Sequence, residues 1–362
     1  MRIGIIGAGQ LGQMLGYAAR DLGMQCTFVD PSSAPPAADC GEVIQAPFDD
    51  VAALAALAQA VDVVTYEFEN VSVEALEEIA GTVPVFPPPA ALQYAQDRLA
   101  EKLLFQSLGI PLPAFFAVDS RSDLDAAVAA IGLPMVLKTR RFGYDGKGQA
   151  IIRNGNELGA AWEKLGGNAL IAEAWVNFDF EVSAIGARNS AGQVVSFPLT
   201  QNEHTNGILQ TSRAPLEDTA LERQAVEYLH SLLQRLEYVG VLALELFVAG
   251  DRLLANEFAP RVHNSGHWTI EGAEPSQFAA HLLAISGADL EKPQVCGFAG
   301  MLNLLGEIPE AARELRAGNL HDYGKAPRPG RKLGHITVMA GSAAERDRQL
   351  SEIEKTVTNP TI

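Results

Sequence analysis

The chain has 362 residues, 48 % hydrophobic and 20 % charged, which excludes a disordered or fibrous protein and leaves room for two or three domains. Lysine and arginine number 27 against 44 acidic residues, and the resulting formal charge of −17 opposes binding to a nucleic-acid backbone or an anionic membrane. Cys26, Cys40 and Cys296 share no metal-ligand or redox spacing, and their odd number does not support a disulfide framework, so a reducing, cytoplasmic setting is expected.

The N-terminus reads as a strand entering glycines, not as a secretion signal, and the apolar stretch at 51–61 is too short to span a bilayer. From 2 to 86, short β-branched runs at 3–6, 27–29, 61–66 and 83–86 alternate with helical patterns at 11–22, 51–57 and 73–79. That rhythm predicts a parallel sheet covered by helices. Pro87-Pro88-Pro89 then breaks the chain, and Asp97 is placed to cap a helix over 98–108 that ends at Gly109 and Pro111. Residues 114–170 read as a small α+β lobe with a glycine loop between strands at 135–138 and 149–152. Longer strands at 180–187, 194–197, 241–248 and 253–258, interrupted by one helix over 216–236, predict a second lobe dominated by antiparallel pairing. The tail from 301 alternates strand and helix again. The expected division is 1–95, 96–290 (lobes 114–170 and 171–290) and 291–362.

Two glycine loops carry chemistry. Gly7-Ala8-Gly9-Gln10-Leu11-Gly12 follows a strand and opens a helix, and Asp30 ends the next strand where a dinucleotide fold places its ribose-binding acid. Alone this suggests NAD, although such a turn admits any phosphate. The second loop, Arg140-Arg141-Phe142-Gly143-Tyr144-Asp145-Gly146-Lys147-Gly148-Gln149, follows Lys138. Its glycines and cations describe a flap over a polyphosphate, with a plain surface hairpin as the alternative.

Glu245 and Glu257 stand inside apolar strands, where a carboxylate needs a cation. A two-residue Gly250-Asp251 turn pairs Glu245 with Asn256; a three-residue loop or a bulge pairs Glu245 with Glu257 on one face. The second arrangement is expected if the two bind magnesium, and an ion pair from one glutamate to Arg261 is the alternative. Ala169-Leu170-Ile171-Ala172-Glu173-Ala174-Trp175-Val176 suits an adenine-reading edge or an ordinary hinge strand. Glu181 and His204 suit ribose and phosphate contacts or simple solvated groups. Polar residues crowd Arg261-Val262-His263-Asn264-Ser265-Gly266-His267-Trp268-Thr269, and the stretch 323–332 forms a second basic island.

Together these residues resemble the ATP-grasp superfamily, and within it the N5-carboxyaminoimidazole ribonucleotide synthetases, over essentially the whole chain. The most specific stretches are Arg141-Phe142-Gly143-Tyr144-Asp145-Gly146-Lys147-Gly148-Gln149, Asn256-Glu257-Phe258-Ala259-Pro260-Arg261-Val262-His263-Asn264-Ser265-Gly266-His267, Tyr66-Glu67-Phe68-Glu69-Asn70 and Pro329-Gly330-Arg331-Lys332-Leu333-Gly334-His335. The resemblance implies an ATP-grasp fold, α/β and α+β, with an N-terminal Rossmann-like parallel-sheet domain, a small C-terminal domain and a homodimer. It implies that ATP and bicarbonate form carboxyphosphate and that the carboxyl group passes, directly or as carbon dioxide, to the exocyclic amine of aminoimidazole ribonucleotide. By similarity, ATP is held by Arg98, Lys138, Gly143, Tyr144, Asp145, Gly146, Lys147, Gly148, Gln149, Glu173, Ala174, Trp175, Val176, Glu181, His204, Asn256 and Glu257. Magnesium falls to Glu245 and Glu257. The resemblance assigns Gln10, Glu67, Asn70, Asp145, Asn264, Ser265, Lys325 and Arg331 to the ribonucleotide, and Tyr144, Asp145, Arg261, His263 and Asn264 to catalysis. Many superfamily members carry an asparagine where this chain has Ala259, which leaves a third metal ligand open. The rival readings are another ATP-grasp ligase, such as a formate-dependent glycinamide ribonucleotide transformylase, an NAD-dependent oxidoreductase, and a non-catalytic nucleotide-binding protein.

Overall fold

The structure, a computed structural model, describes residues 1–143 and 147–358. The first strands form a parallel sheet in the order Gly41–Gln45, Gln25–Asp30, Arg2–Ile6, Val63–Tyr66. Strand alternation sends Ile3, Ile5 and Phe28 into one apolar cluster and Ile6, Val29 and Val64 into another, so both faces of the sheet are buried under helices. The strand expected at 83–86 is reduced to a single bridge from Val64 to Val85, because Pro84 lacks an amide and Pro87 follows at once. The proline run both breaks the chain and restarts it: Pro89 occupies the first turn of the helix Pro89–Ala95.

Asp97 caps the helix Arg98–Ser107, its carboxylate accepting from the amides of Leu99 and Ala100. A four-stranded antiparallel sheet follows, ordered Phe115–Val118, Leu170–Ala174, Met135–Thr139, Gln149–Ile152. Its helices, Arg121–Ile131 and Leu158–Leu165, bury Leu124, Ala127, Ala161 and Leu165 against one face.

The largest sheet is antiparallel and, among the described residues, nine-stranded. Its path runs Arg252–Ala259, Gly240–Ala249, Phe180–Arg188, Thr200–Thr205, Ile208–Ala214, Phe298–Leu305, Lys332–Ala340, Asn319–Asp322, with Val194–Ser196 paired beside Phe180–Arg188. The helix expected from 216 begins at Thr219 because Asp218 caps it. The hairpin Thr200–Thr205/Ile208–Ala214 has no counterpart among the expected strands: its inward residues Asn202 and Ser212 are polar and satisfied by each other and by Ser183, so it lacks an apolar period. This hairpin joins the C-terminal strands to the rest of the sheet. The helices Gln10–Asp21 and Gln277–Ile285 pack in one buried apolar cluster, which fixes the parallel sheet against the large one. No described helix is long and apolar enough to cross a membrane.

Candidate active site

A cavity of about 740 Å³ opens where the parallel sheet, the helix Arg98–Ser107 and the large sheet meet. One wall is the face of that helix. Arg98, Glu101 and Lys102, three and four residues apart, point the same way. Arg98 Nη1 lies 2.6 Å from Glu257 Oε2, and its Nη2 donates to the Gly143 carbonyl at 3.3 Å. Glu101 Oε1 accepts the Phe258 amide at 2.7 Å. Lys102 donates to the Asn256 carbonyl and lies 3.4 Å from Glu173 Oε2, which also holds Lys138 Nζ at 3.1 Å. Burial pushes the Glu101 carboxyl up to about 8. Burial acts on Glu173 in the same direction, but Lys102 and Lys138 outweigh it and hold that carboxylate down at about 2.

The two strand glutamates meet through a bulge. Gly250 and Asp251 form a two-residue turn, with Gly250 at φ +63°, and Ala249 pairs with Arg252. Continued regularly, that register would set Glu245 against Asn256. It slips between Glu245 and Leu246 and sets Glu245 opposite Glu257. Burial raises both carboxyls, yet His263 Nε2, 3.1 Å from Glu245, and Arg98 at Glu257 bring both below the usual range. The alternative ion pair to Arg261 is not formed: Arg261 Nη2 holds Glu69 at 2.6 Å. His263 Nδ1 is bonded to Ser265 Oγ at 2.8 Å, so Ser265, fully buried, orients the imidazole behind Glu245.

At the far end of the cavity the first glycine loop is already occupied by the protein's own acids. Glu67 Oε1 accepts the Gly9 amide at 2.7 Å, and Asp30 Oδ2 accepts the Ala8 amide at 2.9 Å. A Cβ at Gly7, whose φ is +101°, would stand 2.6 Å from Glu67 Cγ. Two amides of the loop that could face a dinucleotide pyrophosphate are therefore engaged by the chain itself. Burial raises the Glu67 carboxyl. Beside it, Lys325 Nζ donates to Gln10 Oε1 and, at 2.9 Å, to the Lys332 carbonyl. Burial and the nearby Arg331 lower the Lys325 ammonium to about 8. Arg331 Nη1 donates to the Ala326 carbonyl at 3.1 Å.

Of the residues singled out in the sequence, Gln10, Glu67, Asn70, Arg98, Gly143, Lys147, His204, Glu245, Glu257, Arg261, His263, Asn264, Lys325 and Arg331 line this one cavity. Asn264 exchanges amide hydrogen bonds with Asn303 at 3.1 and 2.7 Å. Lys138, Gly148, Gln149, Glu173, Ala174, Trp175, Val176, Glu181, Asn256 and Ser265 stand off its wall. The Ala174 and Trp175 amides donate to the carbonyls of Ala114 and Pro134. Glu181 meets His204 Nδ1 at 2.6 Å; burial lowers that imidazole, but Glu181 raises it further. The Gln149 carbonyl accepts Lys164, and that of Gly148 accepts the Thr139 amide. Tyr144, Asp145 and Gly146 lie outside the described residues. Sequence reasoning passed over Lys102, Glu101, Gln96 and Asn303. The i, i+3, i+4 charges after Asp97 on an otherwise apolar helix are the signal that points to the first two. Gln96 Nε2 donates to the carbonyls of Glu69 and Val71, both at 2.7 Å, and its Oε1 accepts Arg141, tying the 66–70 loop to the flap.

Three family models match in succession: a ribonucleotide synthetase preATP-grasp domain over 1–96, an ATP-grasp domain over 103–278 and a phosphoribosylaminoimidazole carboxylase C-terminal domain over 299–349. The N5-carboxyaminoimidazole ribonucleotide synthase of Pseudomonas aeruginosa is 46 % identical over 356 residues, 98 % of this chain and 99 % of that protein. The chain belongs to the N5-carboxyaminoimidazole ribonucleotide synthase family. Its fold agrees with the crystal structure of the Thermus thermophilus synthetase at a TM-score of 0.94 and 46 % identity, covering 99 % of this chain and 100 % of that one. The Aspergillus clavatus synthase, solved with ADP and 5-aminoimidazole ribonucleotide, matches at a TM-score of 0.91 and 29 % identity, covering 99 % and 98 %.

Within this ATP-grasp ligase family, Glu245 and Glu257 supply a donor set that fits magnesium. Both are oxygen donors on facing strands, and among the described residues no group of three or more His, Cys, Asp or Glu side chains is arranged to hold a metal. Two carboxylates completed by substrate phosphates suit magnesium, which binds through few protein ligands. Ala259, which faces Ala243, offers no side-chain ligand, and the Asn256 backbone carbonyl is engaged by Lys102.

Proposed function

We propose that this chain carboxylates 5-aminoimidazole ribonucleotide with ATP and bicarbonate to give N5-carboxyaminoimidazole ribonucleotide, a step of purine biosynthesis, and that each end of the cavity serves one half of the reaction. The observation that carries this reading is the joining, in one cavity, of an oxygen-donor pair beside Arg98 with the Gln10, Lys325 and Arg331 cluster beneath the first glycine loop.

At the first end, Arg98, Lys138, Lys147 and the flap bind the triphosphate, with His204 and Glu181 beside it and the 173–176 strand end along the adenine. Glu245 and Glu257 would hold magnesium, which would neutralise the polyphosphate. A bicarbonate oxygen attacks the γ-phosphorus, the bond to ADP breaks, and carboxyphosphate forms. At the second end, Lys325 and Arg331 hold the ribonucleotide phosphate, while Gln10, Glu67 and Asn70 hold its sugar side. The exocyclic amine then takes the carboxyl carbon, either from carboxyphosphate or from carbon dioxide released beside it. The carbon–oxygen bond breaks, and the departing phosphate carries off the amine proton. The family resemblance supports roles for Tyr144 and Asp145 at the amine; Arg261, His263 and Asn264 form the wall between the two ends, and Ser265, off that wall, holds the His263 imidazole. Water must be excluded because carboxyphosphate hydrolyses readily.

The chain divides into units 1–95, 96–290 and 291–362. It works as a homodimer, which the family resemblance supports, in the cytoplasm, which the three free cysteines support; burial pushes the Cys26 and Cys40 thiols up to about 12. The test is ADP formation from magnesium-ATP and bicarbonate with and without aminoimidazole ribonucleotide. Strong stimulation by the ribonucleotide is expected, and turnover indifferent to it would refute the assignment.

A further inference from the structure

Lys102, on the helix Arg98–Ser107 behind the cavity lining, has no role in the reaction just described. Lys102 is fully buried, and its ammonium donates to the Asn256 carbonyl while standing 3.4 Å from Glu173 Oε2. The same carboxylate oxygen holds Lys138 at 3.1 Å, and Glu173 Oε1 is buried without a partner among the described residues. Two ammoniums therefore share one buried oxygen. Their exposures differ: the Lys138 side chain is 14 % exposed and that of Lys102 is 0 %, so only Lys138 stands at the edge of the solvent.

We infer that Lys102 is a positioning residue, the permanent counter-charge of Glu173, which frees Lys138 to turn toward the nucleotide phosphates without stranding a buried carboxylate. The inference rests on the ATP-dependent reading above. A carboxylate this deeply buried is stable only while paired, and breaking a buried pair by removing one partner is strongly unfavourable. With Lys138 as the sole partner, each nucleotide-binding event would have to break that pair. With Lys102 in place, Glu173 keeps a cation when Lys138 moves, and Lys102 itself stays anchored to the Asn256 carbonyl next to Glu257. The alternative is that Lys102 only braces that carbonyl, in which case its effect does not depend on the charge of Glu173.

The two are separated by calorimetric binding of a non-hydrolysable ATP analogue with magnesium to the full chain carrying K102M, E173Q or both changes, with thermal melting as the check of folding. K102M is expected to weaken analogue binding at least about tenfold. It should raise KM for ATP while leaving KM for the ribonucleotide within about twofold. In the E173Q background the K102M change is expected to lose its effect, so that the double variant binds within about threefold of E173Q and more tightly than K102M. A double variant tenfold weaker than E173Q would overturn the inference in favour of the carbonyl brace. Should K102M not fold, the comparison of the double variant with E173Q, which removes the charges together, decides in the same way. Failure of the wild-type chain to bind the analogue would overturn the ATP reading instead.

Discussion

If Lys325 holds the ribonucleotide phosphate as proposed, substrate binding depends on pH in a way that can be calculated. Burial and the neighbouring Arg331 bring its ammonium to about 8, well within the assay range. The charged fraction then falls from about 90 % at pH 7 to about 10 % at pH 9, while the substrate phosphate stays a dianion throughout. If the charged form binds the phosphate, KM for the ribonucleotide should rise about tenfold over those two units, with kcat much less affected. K325R keeps its charge over the whole range and should flatten the profile, at the cost of a different contact to Gln10. Initial-rate measurements at pH 7, 8 and 9, with ATP saturating, give the answer. A KM flat with pH in the wild type, or an equal rise in K325R, would refute the reasoning.

E245Q removes one charge from the oxygen-donor pair without changing its shape, and magnesium-ATP turnover should fall at least about a hundredfold, with the fold intact by circular dichroism. E101Q tests the buried acid on the helix face. The folded form keeps its proton up to about 8, whereas the unfolded chain releases it near 4.5, so wild-type stability declines as pH rises between those values. E101Q does not titrate, and its unfolding free energy from urea melts should match the wild type near pH 5 and exceed it at pH 8, by up to a few kcal/mol. His281 has the opposite sign. Burial lowers it to about 3, with its Nδ1 accepting the Val241 amide and its Nε2 bonded to Thr65 Oγ1, so its share of the stability is present above 6.5 and lost as pH falls toward 3. H281Q should therefore flatten the acid limb of the stability profile between pH 6.5 and 4.

Much of this arrangement was legible because it is local. Asp97 before an apolar-periodic run, the β-branched strands at the N-terminus and the paired strands at 135–138 and 149–152 each specify their element without help from distant residues. The hairpin Thr200–Thr205/Ile208–Ala214 was illegible because its buried face is built from Asn202 and Ser212, which a hydrophobic pattern cannot reveal. The facing of Glu245 and Glu257 was legible only as a condition, since a one-residue bulge next to Glu245, and not the turn, decides it. The Gln10–Lys325 contact joins residues 315 apart, and nothing local to either side chain announces it. The occupation of the first glycine loop by Glu67 needed the structure as well: the motif alone shows amides suited to an anion, not that the end of the strand Val63–Tyr66 brings a carboxylate to fill them.

The most direct test follows one oxygen atom. With ¹⁸O-labelled bicarbonate, magnesium-ATP and aminoimidazole ribonucleotide, attack of bicarbonate on the γ-phosphorus leaves a bicarbonate oxygen in the phosphate released. Each phosphate formed should carry one labelled oxygen, with its appearance dependent on the ribonucleotide; unlabelled phosphate would mean that water attacks ATP and would contradict the account.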